Sequence, residues 1–197
     1  MKVLAIYGSP RREGNTALIL RELVKGLRAQ GGDATEVFLC DLQILPCVAD
    51  HSCSQSGECF LQDDMQAMYD HLVAHECIVL AAPIFFYSVN AQTKALIDRS
   101  QSLWARKYVL KQPVSPSGIK KKGIFISVGA TKGAKLFDGT LLTVKYFFDT
   151  IDAELSHTLL YRSVDGEGEI LKHPEALEAA YRLGRSLAGL SGLNNNS

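Results

Sequence analysis

Between Gly8 and Thr16 the chain reads Gly8-Ser9-Pro10-Arg11-Arg12-Glu13-Gly14-Asn15-Thr16, directly after the apolar run Val3 to Tyr7 and before a helical pattern. Hydroxyls at Ser9 and Thr16, the Asn15 carboxamide, the Arg11 guanidinium and the N–H groups of a helix start have together the chemistry to cradle a dianion. Spacing narrows the ligand. A nucleoside-triphosphate loop reads G-x4-G-K-[ST], but here five residues separate Gly8 from Gly14, and Asn15 stands where the lysine belongs. The G-x-G-x-x-G dinucleotide fingerprint is also missing, and with it the close glycine approach to a pyrophosphate. A single terminal phosphate, as FMN carries, suits the loop best. The competing explanation is an ordinary strand-to-helix turn in which Ser9 or Asn15 caps the helix, which needs one such side chain rather than several.

Two further segments bear on the same ligand. In Ala81-Ala82-Pro83-Ile84-Phe85-Phe86-Tyr87-Ser88-Val89-Asn90, Pro83 stops the strand, so Ile84, Phe85, Phe86, Tyr87 and Ser88 fall on a loop rather than inside a sheet. Aromatic rings there suit a flat apolar ligand, whereas Phe85 or Phe86 taken singly reads as core. The run Ser127 to Gly133 is small and glycine-rich, and Gly129 lets backbone come close to a ring system.

Strand-length apolar runs alternate with amphipathic stretches, the pattern of a parallel sheet covered on both faces. Strands are expected near 2–7, 35–39, 77–82, 123–128 and 154–161. Helices are expected from Asn15 to before Gly31, from Asp63 to His75, after Asn90 as N-cap, from Leu136 to Ile151, and from Pro174 to Leu190. The alternation implies an α/β three-layer sandwich with a five-stranded parallel sheet in the flavodoxin-like order 2-1-3-4-5. Ligands of such sheets sit at the carboxyl ends of the strands beside the switch point, which brings together residues 8–16, 83–89 and 129–135. Residues 1–190 read as one domain, 191–197 as a frayed tail and Lys111 to Lys122 as an exposed connector.

The 21 basic and 21 acidic side chains cancel, so no net field draws the chain to nucleic acid or an anionic membrane. The longest apolar run, Ile78 to Tyr87, is broken by Pro83 and is too short to span a bilayer. A cytoplasmic protein is expected. Five cysteines, an odd number, argue against a disulfide framework.

The motifs Gly8-Ser9-Pro10-Arg11 with Gly14-Asn15-Thr16, then Ala82-Pro83-Ile84-Phe85 with Lys94 and Asp98-Arg99, resemble those of the NADPH-dependent FMN reductase family, over roughly residues 2 to 160. The resemblance implies an oxidoreductase in which Ser9, Arg11, Asn15 and Thr16 bind the FMN phosphate. Pro83, Ile84, Phe85, Phe86, Tyr87 and Ser88 would line the isoalloxazine, with Phe85 standing where relatives often have tyrosine. It also implies NADPH or NADH as reductant, a small-molecule or protein electron acceptor, and a homodimer or homotetramer. No residue stands out as a catalytic acid or base, since the cofactor carries the chemistry. The runner-up is an iron-sulfur flavoprotein that carries single electrons between a cluster and FMN, and a rival of another class is a non-catalytic phosphate-ligand module on the same fold.

The segment Pro46-Cys47-Val48-Ala49-Asp50-His51-Ser52-Cys53, continuing to Cys59, resembles the C-x2-C-x2-C-x5-C motif of the iron-sulfur flavoprotein branch, with Asp50 in the second ligand position. Three readings stand: a disabled ligand set with ordinary thiols, a [4Fe-4S] cluster held by three thiolates and a carboxylate, and a zinc clip from Cys47, His51, Cys53 and Cys59. A hard oxygen is a poor substitute for thiolate at iron-sulfur centres, so no stoichiometric cluster is expected. Cys40 and Cys77 read as buried small hydrophobes, His71, His75, His157 and His173 as surface or capping residues, and Trp104 as a core ring or a subunit contact.

Overall fold

Every residue from Val3 to Tyr7 and from Cys77 to Ala81 is buried, so these strands need helices on both faces. The computed structural model, which describes residues 1–115 and 121–189, supplies them. The sheet contains β1 (Val3–Tyr7), β2 (Ala34–Phe38), β3 (Cys77–Ala81), β4 (Lys121–Gly129) and β5 (Ala153–Arg162), in the order β2-β1-β3-β4-β5 with every pairing parallel. The flavodoxin-like order expected from the alternation is therefore present. Helices α1 (Asn15–Arg28), α2 (Met65–Ala74), α3 (Ala91–Arg99), α4 (Asp138–Thr150) and α5 (Pro174–Gly189) cover it.

The two-residue period of β1 divides the interior. Val3, Ala5 and Tyr7 join a core with Ile19, Leu23 and Leu27 of α1 and Ala180 of α5. Leu4 and Ile6 join the other, with Met68 of α2, Leu96 of α3 and Phe148 of α4. Helices α1 and α5 meet backbone to backbone. A Cβ on Gly26 would lie 2.0 Å from the Tyr181 carbonyl oxygen, and one on Gly184 would lie 1.9 Å from that of Leu23.

Several expectations need correction. Helix α2 begins two residues late because the Asp63 and Asp64 carboxylates accept from backbone N–H groups of the preceding loop, at Leu45 and Gln43. Of the surface and capping roles open to His75 it takes the second, as the C-cap of α2, and it is buried: its ring nitrogens face the His71 carbonyl at 2.8 Å and the Thr35 hydroxyl at 2.9 Å, and burial lowers its pKa. Cys40 is half-buried, because it lies in the short turn after β2, while Cys77 is buried as expected. Lys121 and Lys122 belong to β4 rather than to a connector; residues 116–120 of that connector, residue 190 and the 191–197 tail lie outside the described residues. Lys121 is 4% exposed, and its ammonium donates to the Leu72 and Val73 carbonyls at the end of α2, at 2.6 and 2.7 Å. Among the described residues, no helix is long and apolar enough to cross a membrane.

Candidate cofactor-binding site

The chain leaves β1 through a glycine that no other residue could replace without movement. Gly8 N–H still donates to the Ala81 carbonyl at 2.7 Å, and a Cβ at Gly8 would lie 2.3 Å from Thr93 Oγ1. The loop then folds on itself: Ser9 Oγ accepts from Arg11 N–H at 3.1 Å, and Gly14 N–H donates to the Arg11 carbonyl at 3.1 Å. Gly14 is the N-cap of α1, and no side chain caps the helix. Its first internal bond is Leu18 N–H to Gly14 O, at 3.0 Å, which leaves the N–H groups of Asn15, Thr16 and Ala17 without intrahelical acceptors. The capping explanation for this loop thus fails. The first turn also carries no acidic residue to neutralise the positive end of the helix.

The two arginines have different surroundings. Arg12 pairs with Asp41 and lies over the Phe38 ring, 4.6 Å from its centroid. Arg11 is exposed and, among the described residues, has no ion-pair partner, so its charge is available to a ligand. Asn15 departs from expectation. Its Nδ2 donates to the Gly166 carbonyl at 2.8 Å and its Oδ1 accepts from Ile170 N–H at 3.1 Å, so the side chain ties the loop to the segment after β5. What Asn15 presents at the helix start is its backbone N–H. Thr16 is buried, and Ser9 is 6% exposed.

Beyond Pro83 the aromatic loop is a two-residue hairpin in which Ile84–Phe85 pairs antiparallel with Ser88–Val89. Its corner residues, Phe86 and Tyr87, sit at φ 50° and 60°, a left-handed pair normally filled by Asn-Gly or Asp-Gly. Such backbone costs about 1 kcal/mol or more per bulky residue and persists only where surroundings hold it. Thr140 Oγ1 donates to the Tyr87 carbonyl at 3.1 Å, and a Cβ on Gly139 would come within 3.2 Å of that oxygen, so the start of α4 clamps the turn. The rings are not core: Phe86 is fully exposed, and Phe85 and Tyr87 are each about half exposed. Ser127 Oγ donates to the Ala82 carbonyl at 2.7 Å, fixing β4 beside the hairpin's root. Gly129 is buried against Leu136, whereas residues 130–135 are exposed. The Tyr87 hydroxyl lies 3.7 Å from where a Gly133 Cβ would stand, so the second and third loops meet there.

The cysteine segment occupies a separate place. Cys47, Cys53 and Cys59 line a cavity of about 410 Å³ together with Asp50, His51 and Arg99. Arg99 organises it. Its side chain is 0% exposed and binds Asp63 at 2.6 and 3.1 Å, the Leu45 carbonyl at 2.9 Å and the Leu61 carbonyl at 3.4 Å, one on each side of the loop. Burial and the neighbouring Cys59, Cys47 and Asp50 push the Cys53 thiol pKa up. Asp50 is exposed, the cysteines are free thiols, and among the described residues no three Cys, His, Asp or Glu side chains gather closely enough to hold a metal ion. With at most three soft donors and a solvated carboxylate, the loop as arranged does not fit a [4Fe-4S] cluster. Sequence reasoning missed the bond from Asn90 to Gly8 and that from Thr93 to Asn90; the signal was an asparagine three residues after Tyr87.

The model of one sequence family, described as NADPH-dependent FMN reductase, matches residues 1–144. An iron-sulfur flavoprotein of Methanocaldococcus jannaschii is 37% identical over 103 residues, covering 52% of this chain and 53% of the relative. The chain thus spans about half the length of that curated relative. A protein of Bacillus subtilis named as an NAD(P)H-dependent FMN-containing oxidoreductase is 28% identical over 189 residues, 93% of this chain and 96% of the other. Among solved structures, an NAD(P)H:quinone oxidoreductase from Methanothermobacter marburgensis superposes with a TM-score of 0.69 at 15% identity, covering 95% of this chain and 98% of that one, a likeness of fold.

Proposed function

Because the chain belongs to the NADPH-dependent FMN reductase family, we propose that it is an FMN-dependent oxidoreductase. In this reading the phosphate lies in the Ser9–Thr16 loop and the ring against Pro83–Ser88. The observation that carries it is the uncapped helix start beside an exposed Arg11 that has no ion-pair partner among the described residues, facing the same sheet edge as an exposed, strained aromatic turn. The residues suit the group: Gly8 and Gly14 stand where a Cβ would strike Thr93 Oγ1 and Ser9 Oγ, and Ser9, Arg11 and the N–H groups of residues 15–17 supply donors. When bound, FMN supplies hydride and single-electron chemistry at its ring. The chain's own residues position it. Arg11 neutralises phosphate charge, the helix start donates hydrogen bonds, and Phe86 and Tyr87 cover apolar surface and keep water from it. NADPH or NADH serves as reductant and a small molecule or protein as acceptor. The assembly is a cytoplasmic homodimer or homotetramer, with the partly exposed Trp104, tilted at 40° to the Tyr108 ring, as a candidate contact.

The test is release and mass identification of the bound flavin, followed by titration of the flavin-free protein. A charge-assisted hydrogen bond is worth about 1.5–3 kcal/mol, so Arg11→Ala should weaken FMN binding roughly tenfold to a hundredfold. Unchanged affinity, or a wild-type preference for riboflavin over FMN, removes the phosphate loop from the site. We propose further that electrons pass without a resident cluster. Anaerobic purification with iron and sulfide assay decides this: about four irons per chain, lost in Cys53→Ser, would restore the iron-sulfur reading.

A further inference from the structure

Asn90 stands between the aromatic hairpin and α3, at the N-cap position of the helix with φ −66° and ψ 165°, yet its side chain does not cap. The amide is turned instead toward the first loop. Nδ2 donates to the Gly8 carbonyl at 2.7 Å and to Gln92 Oε1 at 2.8 Å, and Oδ1 accepts from the Thr93 hydroxyl at 2.8 Å. Asn90 is 1% exposed and Thr93 is 0% exposed. These bonds fix which end of the amide faces Gly8, because the reverse orientation would set two oxygens against each other. Thr93 has a single hydroxyl proton, and its longer approach to Gly8 O, at 3.4 Å, is a packing contact once that proton is given to Asn90.

The consequence lies in the peptide that follows. The chain contains no cis peptide bond among the described residues, and in a trans peptide the C=O and the next N–H point in opposite directions. With Gly8 O held inward toward α3, Ser9 N–H points outward. No acceptor for that N–H exists among the described residues, on a residue only 6% exposed. A sheltered donor left open in this way is costly unless a ligand completes it. We propose that Asn90, oriented by Thr93, is a positioning residue that locks the Gly8–Ser9 peptide so that Ser9 N–H is presented to the cofactor's phosphate. The proposal rests on the flavin reading above. It gives Asn90 two tasks at once: it roots the ring-bearing hairpin and sets a donor of the phosphate loop.

The experiment titrates flavin-free full-length protein with FMN and with riboflavin, which lacks the phosphate. A merely structural Asn90 would weaken both ligands alike. Asn90→Ala is expected to lower FMN affinity about tenfold to a hundredfold and riboflavin affinity less than about threefold, so that the preference for FMN collapses. Thr93→Val should move the preference in the same direction by less, and Thr93→Ser should restore it. Thermal melting of each flavin-free variant controls for folding, and if Asn90→Ala does not fold, the Thr93 pair decides. Equal losses for both ligands, or an unchanged preference in Thr93→Val, overturn the proposal. A wild-type protein that binds riboflavin as tightly as FMN overturns the phosphate loop itself, a distinct result.

Discussion

Replacing Arg99 by leucine removes the cation of a pair whose side chains are 0% and 7% exposed. The loss includes two bonds to Asp63 and those to the Leu45 and Leu61 carbonyls, the clasp that closes the cysteine loop. Breaking a buried pair from one side typically costs about 3–5 kcal/mol. The lower end applies here, because Asp63 keeps N–H donors from Leu45 at 2.9 Å and Met65 at 3.0 Å. A loss of about 3 kcal/mol is a large share of the 5–15 kcal/mol typical of whole domains, and guanidinium unfolding at neutral pH will read it. Acid sharpens the test. Burial raises the Asp63 pKa, but Arg99 and the Leu45 and Met65 N–H groups outweigh it, and the net value falls below the ordinary 3.8. A depressed carboxylate contributes stability above its unfolded pKa and loses it as pH falls through the folded one. The gap between wild type and variant should therefore narrow below about pH 4. Alkylation of Cys47, Cys53 and Cys59 should quicken in the variant while Cys77 stays protected, and removing both charges in Asp63→Leu/Arg99→Leu should recover part of the loss. A neutral-pH loss under about 1 kcal/mol, or quickened alkylation of Cys77 in parallel, would refute the clasp.

Burial lowers the Lys121 pKa from 10.5 to about 8, so the folded protein releases a proton that the unfolded chain keeps between these values, and stability should rise with pH across that window. Lys121→Met should flatten this rise, worth up to about 3 kcal/mol, and an unaltered pH–stability curve would count against it. Phe86→Gly relieves a left-handed φ of 50° on a fully exposed residue. Its flavin-free form should melt later, by up to about 1 kcal/mol, while its flavin affinity falls; a less stable variant would show that the ring holds the turn.

The fold was legible because the evidence for it is local and repeated. Fully buried runs such as Cys77 to Ala81, separated by amphipathic stretches, force a parallel sheet with helices on both sides, and Pro83 marked where the chain leaves the sheet. In the candidate site, residue type alone singled out Arg11 and Tyr87, and both side chains are exposed. It was not legible where a side chain's task depends on what the fold brings near it. Asn15 has the right chemistry for phosphate, but a carbonyl and an N–H from residues 166 and 170 take its side chain. Asn90 has the right position for a cap, but Gly8 O is the better acceptor for its amide. His75 becomes interior because Thr35, forty residues away, meets its ring.

Asn15 also sets an order of events during synthesis. Its partners lie 151 and 155 residues further along the chain, and the helix that it begins is covered by α5, which comes later still. On a ribosome, residues 8–16 emerge well before residues 166 and 170, and β1 can pair with β2 and β3 in the interval. The start of α1 nevertheless remains without its brace until residues 166 and 170 have been made. A nascent chain halted after residue 144 would carry the whole stretch matched by the family model and still lack Val164, Ile170, Ala176, Ala180 and Leu187 from the core that α1 shares with the sheet. The bracing of this loop is thus completed only after residues 166 and 170 are made, although the residues it holds are translated well before them.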